Sequence, residues 1–178
     1  MLKHYLALSI FLVTAMTIAG CVASNLARDY VLKASTGIGL LVFSYTTNEK
    51  ADNPYLDYRN MMTGDEGEIL RNTNKEPLDW ESPAKGRLVV LELDSGLYEF
   101  YSWSIVRLGM AGRGFSVPFE IFPGKVTYAG NIHLTVLDEG LFNLQVTDAF
   151  ERDLALFHRR FYNVHDNNVV KHVSNLHF

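Results

Sequence analysis

The sequence predicts a mainly β protein, an antiparallel β-sandwich of about seven strands with one C-terminal amphipathic helix. Three observations carry that expectation. Apolar residues recur with period two through residues 126–136 and 142–147. Gly-centred turns at Asp94-Ser95-Gly96, Pro123-Gly124-Lys125 and Asp138-Glu139-Gly140 divide the extended runs. The period changes once, where Phe150, Leu154, Phe157 and Phe161 fall at helical spacing. Strands at such short spacing, with no helices alternating between them, point to a sandwich or barrel rather than a parallel α/β sheet.

The domain spans residues 35–178. Its first strand is the apolar run Ile38 to Phe43, which ends in polar residues Ser44 to Lys50. Tyr55 to Arg59 and Glu68 to Arg71 are shorter strands around the turn at Thr63 to Gly67, and Asn72 to Lys85, with Pro77 and Pro83, reads as a surface loop. Leu88-Val89-Val90-Leu91 has the continuous apolar character of a central strand covered on both faces, and Leu97 to Val106 returns from it as a hairpin. Phe115, Val117, Phe119 and Ile121 share one face of the next strand, and Pro118 marks that strand as an edge or bulge. Val126, Tyr128, Ile132, Leu134 and Val136 then alternate with polar residues, giving a strand with one core face and one wet face. Phe142, Leu144 and Val146 repeat the pattern. A helix near 148–161 follows, with Asp148 and Glu151 as its capping pair and His158, Arg159 and Arg160 complementing the dipole at its far end. Val169 to Phe178 adds a last strand.

Residues 1–20 have the layout of a secretory signal: Lys3 and His4, an apolar run to Ile18, then small residues. The run is short for a membrane span, which needs about 20 apolar residues. Ile18-Ala19-Gly20-Cys21 resembles the lipobox of bacterial lipoproteins, with Ile18 where leucine is commonest. The resemblance implies cleavage between Gly20 and Cys21, acylation of the Cys21 thiol, and a mature chain beginning at that residue. Cys21 is the one cysteine, so it has no internal disulfide partner. By the same resemblance Val22, standing where an aspartate would retain the protein in the inner membrane, implies an outer-membrane location facing the periplasm. Residues 21–34 form a short tether with helical tendency around Leu26 to Leu32, so the domain stays close to its membrane.

Leu93-Asp94-Ser95-Gly96-Leu97-Tyr98, between an apolar strand and an aromatic return strand, is similar to the leucine-proline-x-glycine-x-tyrosine hairpin of prealbumin-like and carboxypeptidase-regulatory-like β-sandwich domains, with Asp94 in the proline position. Phe122 to Ile132 is similar to a segment of uncharacterised bacterial lipoproteins of that type. The resemblance implies a sandwich and no shared catalytic set, and fold likeness alone assigns no activity.

The formal charge is -4, with both signs interspersed and no basic stripe, which argues against nucleic-acid binding. Gly109-Met110-Ala111-Gly112-Arg113-Gly114 lacks the spacing of a phosphate loop and reads as a hairpin tip. His158, His165 and His172 recur every seven residues with His177 beyond, but Asp166-Asn167-Asn168 interrupts any single helix that would align them as metal ligands. Asp65, Glu66 and Glu68 lack a calcium-loop spacing. Ser95 and Ser104 lack the context of a hydrolase nucleophile. The reading is therefore a non-catalytic binding or scaffolding module with no cofactor or metal, held to the membrane through Cys21 and partnered by an envelope protein. Two alternatives stay open: a carbohydrate-binding module that stacks sugars on Tyr101, Trp103 or Trp80, and an enzyme or metal-dependent binder assembled from distant loops. For the aromatic strand itself, the expectation is that the C-terminal helix covers its second face.

Overall fold

The computed structural model describes residues 26–33, 36–51, 53–70, 78–81, 84–137 and 141–177. The signal segment, its cleavage site at Gly20 and Cys21, and the first residues of the tether lie outside them. The elements are β1 (Ile38–Thr47), β2 (Tyr55–Asn60), β3 (Glu66–Leu70), β4 (Asp79–Trp80), β5 (Lys85–Asp94), β6 (Gly96–Ile105), β7 (Met110–Ile121), β8 (Val126–Val136), β9 (Phe142–Thr147), α1 (Phe150–Arg160) and β10 (Val169–Lys171). One sheet has the order β10-β8-β1-β5-β4, with β9 also paired to β8; the other has the order β3-β2-β6-β7.

The fold is mainly β and sandwich-like, with ten strands among the described residues where about seven were expected. β4, two residues long, is too short to leave a period in the sequence, and of the last strand expected over Val169 to Phe178 the three residues of β10 form one among the described residues. β4 lies within the segment expected to be a loop, where the buried Arg87 guanidinium donates to both Asp79 carboxylate oxygens, at 2.6 and 2.9 Å. The sheet containing it is also not purely antiparallel, because β1 and β10 both run parallel to β8.

The expected hairpin of β5 and β6 does not form. Ser95 alone separates these strands, and they belong to different sheets, so the chain turns a corner at the motif Leu93 to Tyr98. The Ser95 N–H donates to the Gly37 carbonyl at 2.8 Å, and the Tyr98 hydroxyl donates back to the Asp94 carbonyl at 3.0 Å, which holds the corner. β6 instead makes its hairpin with β7, through a short 3-10 turn at Val106–Leu108 and Gly109 at φ +62°. Gly112 and Gly114 therefore sit inside β7 and not at a hairpin tip.

Two apolar layers result. Between the sheets, Leu41, Phe43 and Tyr45 of β1 and Val89 of β5 pack against Phe100 and Trp103 of β6 and Val117 and Phe119 of β7. The Phe43, Phe100 and Phe119 rings form a chain with centroids 4.8 and 4.7 Å apart. The opposite face of the first sheet presents Leu40, Val42, Leu88, Val90, Val126 and Tyr128 to Phe157 and Phe161. Each fully buried phenylalanine contributes about 1.5–3 kcal/mol, so this second layer holds α1 firmly on the sheet.

β8 therefore does not keep one core face along its length, and only His133 and Thr135 of its polar residues are half-exposed. Val126 and Tyr128 face the helix, whereas Ile132, Leu134 and Val136 face the other sheet. The switch occurs at a register shift between β1 and β8, with Gly130 at φ +98°, a conformation that glycine adopts without steric cost.

The helix starts one residue later than its expected cap. Ala149 is the boundary residue, and Asp148 works from just outside, accepting the Phe150 N–H at 3.0 Å and pairing with Lys171 at 2.5 Å. The described part of the tether is not helical. Leu26, Tyr30 and Leu32 pack against the apolar layer beneath α1, and Tyr30 donates to Glu92 at 2.5 Å.

Candidate functional site

Alternation puts Ser44 and Thr46 of β1 on the helix side of the sheet, next to the β8 bulge and under the first turn of α1. Asp153 enters that space fully buried. Its Oδ2 accepts from the Ser44 hydroxyl at 2.6 Å and from the Tyr128 hydroxyl at 2.8 Å, and its Oδ1 accepts from Arg152 Nε at 2.8 Å. Tyr128 in turn accepts the Ala149 N–H at 3.2 Å, and Arg152 Nη2 donates to Ser44 Oγ at 2.8 Å. Asn131 Oδ1 lies 3.0 Å from Thr46 Oγ1, and its amide donates to Thr147 Oγ1 at 3.1 Å. Thr46 Oγ1 is also 2.8 Å from His133 Nδ1.

A hydroxyl has one proton to give. With Ser44 donating to Asp153 and Thr46 donating to Asn131, the remaining contact requires His133 Nδ1 to carry a hydrogen and donate to Thr46. Burial lowers the His133 pKa below its ordinary 6.5, and a neutral imidazole suits this arrangement. Burial, followed by the adjacent Asp153, raises the Tyr128 hydroxyl above its usual 10. Each side chain of the cluster is thus satisfied by another. The geometry offers no nucleophile aligned with a free base, and what it does chemically is fasten α1 to β1 and β8.

The three aromatic residues proposed as a binding platform are separated. Trp103 is fully buried between the sheets, with its ring 4.6 Å from that of Phe142, so it presents no stacking face to a sugar. Trp80 lies on the helix side of the first sheet, with the Arg152 guanidinium 4.7 Å above its ring. Tyr101 lies half-buried on the outer face of the other sheet, beneath the Arg59 guanidinium at 4.7 Å. The separation of Tyr101 from Trp103 comes from a second bulge, at Phe100/Ser102, which places both Phe100 and Trp103 in the core despite their odd spacing. The helix covers the sheet of β1, β5 and β8, so the second face of β6 is covered by charged side chains instead.

Those side chains form a smaller network. Arg59 donates to Glu99 Oε1 at 2.7 Å, and Ser116 donates to the other Glu99 oxygen. Burial alone would raise the Glu99 carboxyl, but the hydrogen bonds from Ser116 and Arg59 outweigh it and hold the group below its ordinary 4.5. A two-stage acid sensitivity follows. His133 has a lowered folded pKa, so its neutral form stabilises the fold above about pH 6.5, and this contribution declines as pH falls below that value. Glu99, also lowered, contributes above about pH 4.5, and its contribution is lost as pH falls through its folded value. Thermal midpoints measured from pH 7 to 3 will fall in both windows, and Glu99→Gln will flatten only the lower one.

The remaining sequence candidates are dispersed. His158 pairs with Asp166 at 2.6 Å, whereas His177 bridges backbone to backbone with Ser116 on the edge of β7. Among the described residues no three His, Cys, Asp or Glu side chains gather as a metal-holding group. Asp65 and Glu66 line a shallow depression with Glu92 and Asp94, and Thr63 Oγ1 donates to Asp65 at 2.6 Å. Sequence reasoning missed Ser44, Asp153 and Arg152. The available signal was an aspartate inside the apolar helical stripe, one residue before Leu154.

No family model matches this chain, and no curated protein is similar to it at a significant level. Among solved structures, it is similar to a leucine-rich repeat protein from Bacteroides thetaiotaomicron, at 12% identity and a TM-score of 0.39. The match covers 57% of this chain and 14% of that one, so the chain spans only a small part of that protein's length. A likeness this distant assigns neither fold nor function.

Proposed function

We propose that this chain is a lipid-anchored domain of the cell envelope that acts as a non-catalytic binding or scaffolding module. The observation that carries the reading is the lipobox-like Ile18-Ala19-Gly20-Cys21 placed directly behind a signal-type apolar run. Its setting in the fold supports it. From Leu26 onward the chain lies against the domain, so an acylated Cys21 holds a folded body at short range. A cysteine bearing several acyl chains anchors stably, because each buried methylene adds about 0.8 kcal/mol. The polar cluster beneath α1 supports a packing role, since its donors and acceptors serve one another. At the far end of the sandwich Val106, Leu108, Leu141 and Phe142 stay exposed, and Phe142 meets Trp103 edge-on near the β6–β7 turn. Apolar loops grouped in this way are the kind of surface an envelope protein buries. By resemblance, Val22 after the cysteine supports an outer-membrane location facing the periplasm.

Metabolic labelling with palmitate tests the reading. The wild-type protein will take up label and fractionate with the outer membrane, and Cys21→Ser will take up none. An unlabelled wild-type protein would remove the anchor and leave Cys21 a free thiol.

A further inference from the structure

Leu26 is where the described chain meets the domain. Its carbonyl accepts from Arg160 Nη2 at 3.3 Å, and the Asp29 carbonyl accepts from Asn163 Nδ2 at 3.5 Å. Only Val22-Ala23-Ser24-Asn25 separates Leu26 from Cys21. Even fully extended, that link spans no more than about 17 Å. The C-terminal end of α1 is therefore the part of the domain that an acylated Cys21 keeps nearest the lipid.

The chemistry of that end matches a phospholipid headgroup layer. Arg28 and Arg159 are exposed, Arg160 is half-buried beside them, and Tyr162 is 64% exposed. Asp29 is the one acid within this stretch of the tether. Guanidinium groups bind phosphate through paired hydrogen bonds, and tyrosine favours the depth of the headgroups. The other side of the same end is acidic, with Asp65, Glu66 and Asp94 around one depression, and Glu92 stands between the two sides, hydrogen-bonded to Tyr30. An anionic surface repels that side and attracts the arginine side, which selects one tilt.

We infer that the face formed by Arg28, Arg159, Arg160 and Tyr162 rests on anionic phospholipid headgroups and sets the orientation of the anchored domain. The inference rests on the lipid-anchor reading: the acyl chains supply the affinity and this face supplies the orientation. The apolar loops around Leu141 then point away from the membrane, because β1 starts beside the tether and runs about 30 Å to the end where Asn48 meets Val136.

The test uses the full acylated protein in vesicles of phosphatidylcholine, with or without one-third phosphatidylglycerol, doped with a headgroup nitroxide quencher. With Cys21 acylated, His165→Cys or Leu141→Cys introduces one free thiol for a fluorophore. In anionic vesicles the label at 165 will be quenched several-fold more than the label at 141. High salt, or phosphatidylcholine alone, will erase the difference. Each arginine near an anionic surface raises the equilibrium constant for contact by a factor of about five, so Arg28→Glu with Arg159→Glu will lower that constant at least 25-fold while the protein still floats with the vesicles. Equal quenching of the two labels on acylated protein would overturn this inference alone. So would quenching at 165 that ignores both lipid charge and arginine reversal, or shielding seen only in native envelope fragments, which would indicate a protein contact. A protein without acyl groups would overturn the anchor as well, and its mass reports that case separately.

Discussion

Asp153→Ala will unfold at a temperature about 10 °C below wild type. The substitution removes the acceptor of the buried Tyr128 hydroxyl, one of the two acceptors of the Ser44 hydroxyl, whose other is Asn131 Oδ1 at 2.9 Å, and the partner of Arg152. A buried polar group left unsatisfied costs about 1–3 kcal/mol. Arg152 is 42% exposed at its side chain, so water takes up its charge and it adds little. The sum is about 3–4 kcal/mol, and for a domain of this size each kcal/mol moves the midpoint by about 2–4 °C. Asp153→Asn keeps an acceptor oxygen and will lose about half as much. Thermal unfolding followed by near-ultraviolet circular dichroism measures both. Because the groups share one network, Ser44→Ala combined with Asp153→Ala will cost less than the two single changes added together. A midpoint for Asp153→Ala within 1 °C of wild type would show that the apolar layer alone holds α1.

Trp103→Ala will cost about 3–5 kcal/mol, the range for removing a large aromatic residue from a closed core. The same site predicts a second loss through its neighbour. A Cβ on Gly112 would stand 2.1 Å from Trp103 Nε1 and 2.5 Å from Cε2, so Gly112→Ala forces the indole out of its slot. Overpacking of this kind costs about 1–3 kcal/mol. In the Trp103→Ala background the obstruction is gone, and Gly112→Ala will then be nearly neutral. Urea midpoints of the four proteins complete the cycle. A Gly112→Ala cost that is unchanged by the loss of the indole would mean that backbone conformation, and not contact with Trp103, requires glycine there.

Both sites show what the sequence carries and what it hides. Period-two patterning was enough to read β8 and β9 as strands, and the stripe from Phe150 to Phe161 was enough to read α1, because both signals come from the regular recurrence of apolar residues along the chain. The bulges at Phe100/Ser102 and near Gly130 left no such signal. One inserted residue reverses which face every later side chain takes. That reversal sent Trp103 into the core while Tyr101 faced out, and it moved the apolar side chains of β8 from the helix side to the inter-sheet side. The corner at Ser95 resembled a hairpin turn because the local sequence that reverses a chain within one sheet also serves to pass it between two. The polar cluster was illegible for a different reason: Ser44, Asn131 and Asp153 are up to 109 positions apart, and only the parallel pairing of β1 with β8 brings them under the helix.

The lipid anchor is the central claim, and intact-mass spectrometry of the detergent-extracted protein tests it most directly. The account predicts a chain that begins at Cys21 and carries the added mass of a diacylglyceryl group plus an amide-linked acyl chain, all of it absent from Cys21→Ser. A wild-type mass equal to that of the unmodified polypeptide, whether or not the first 20 residues are removed, would contradict it.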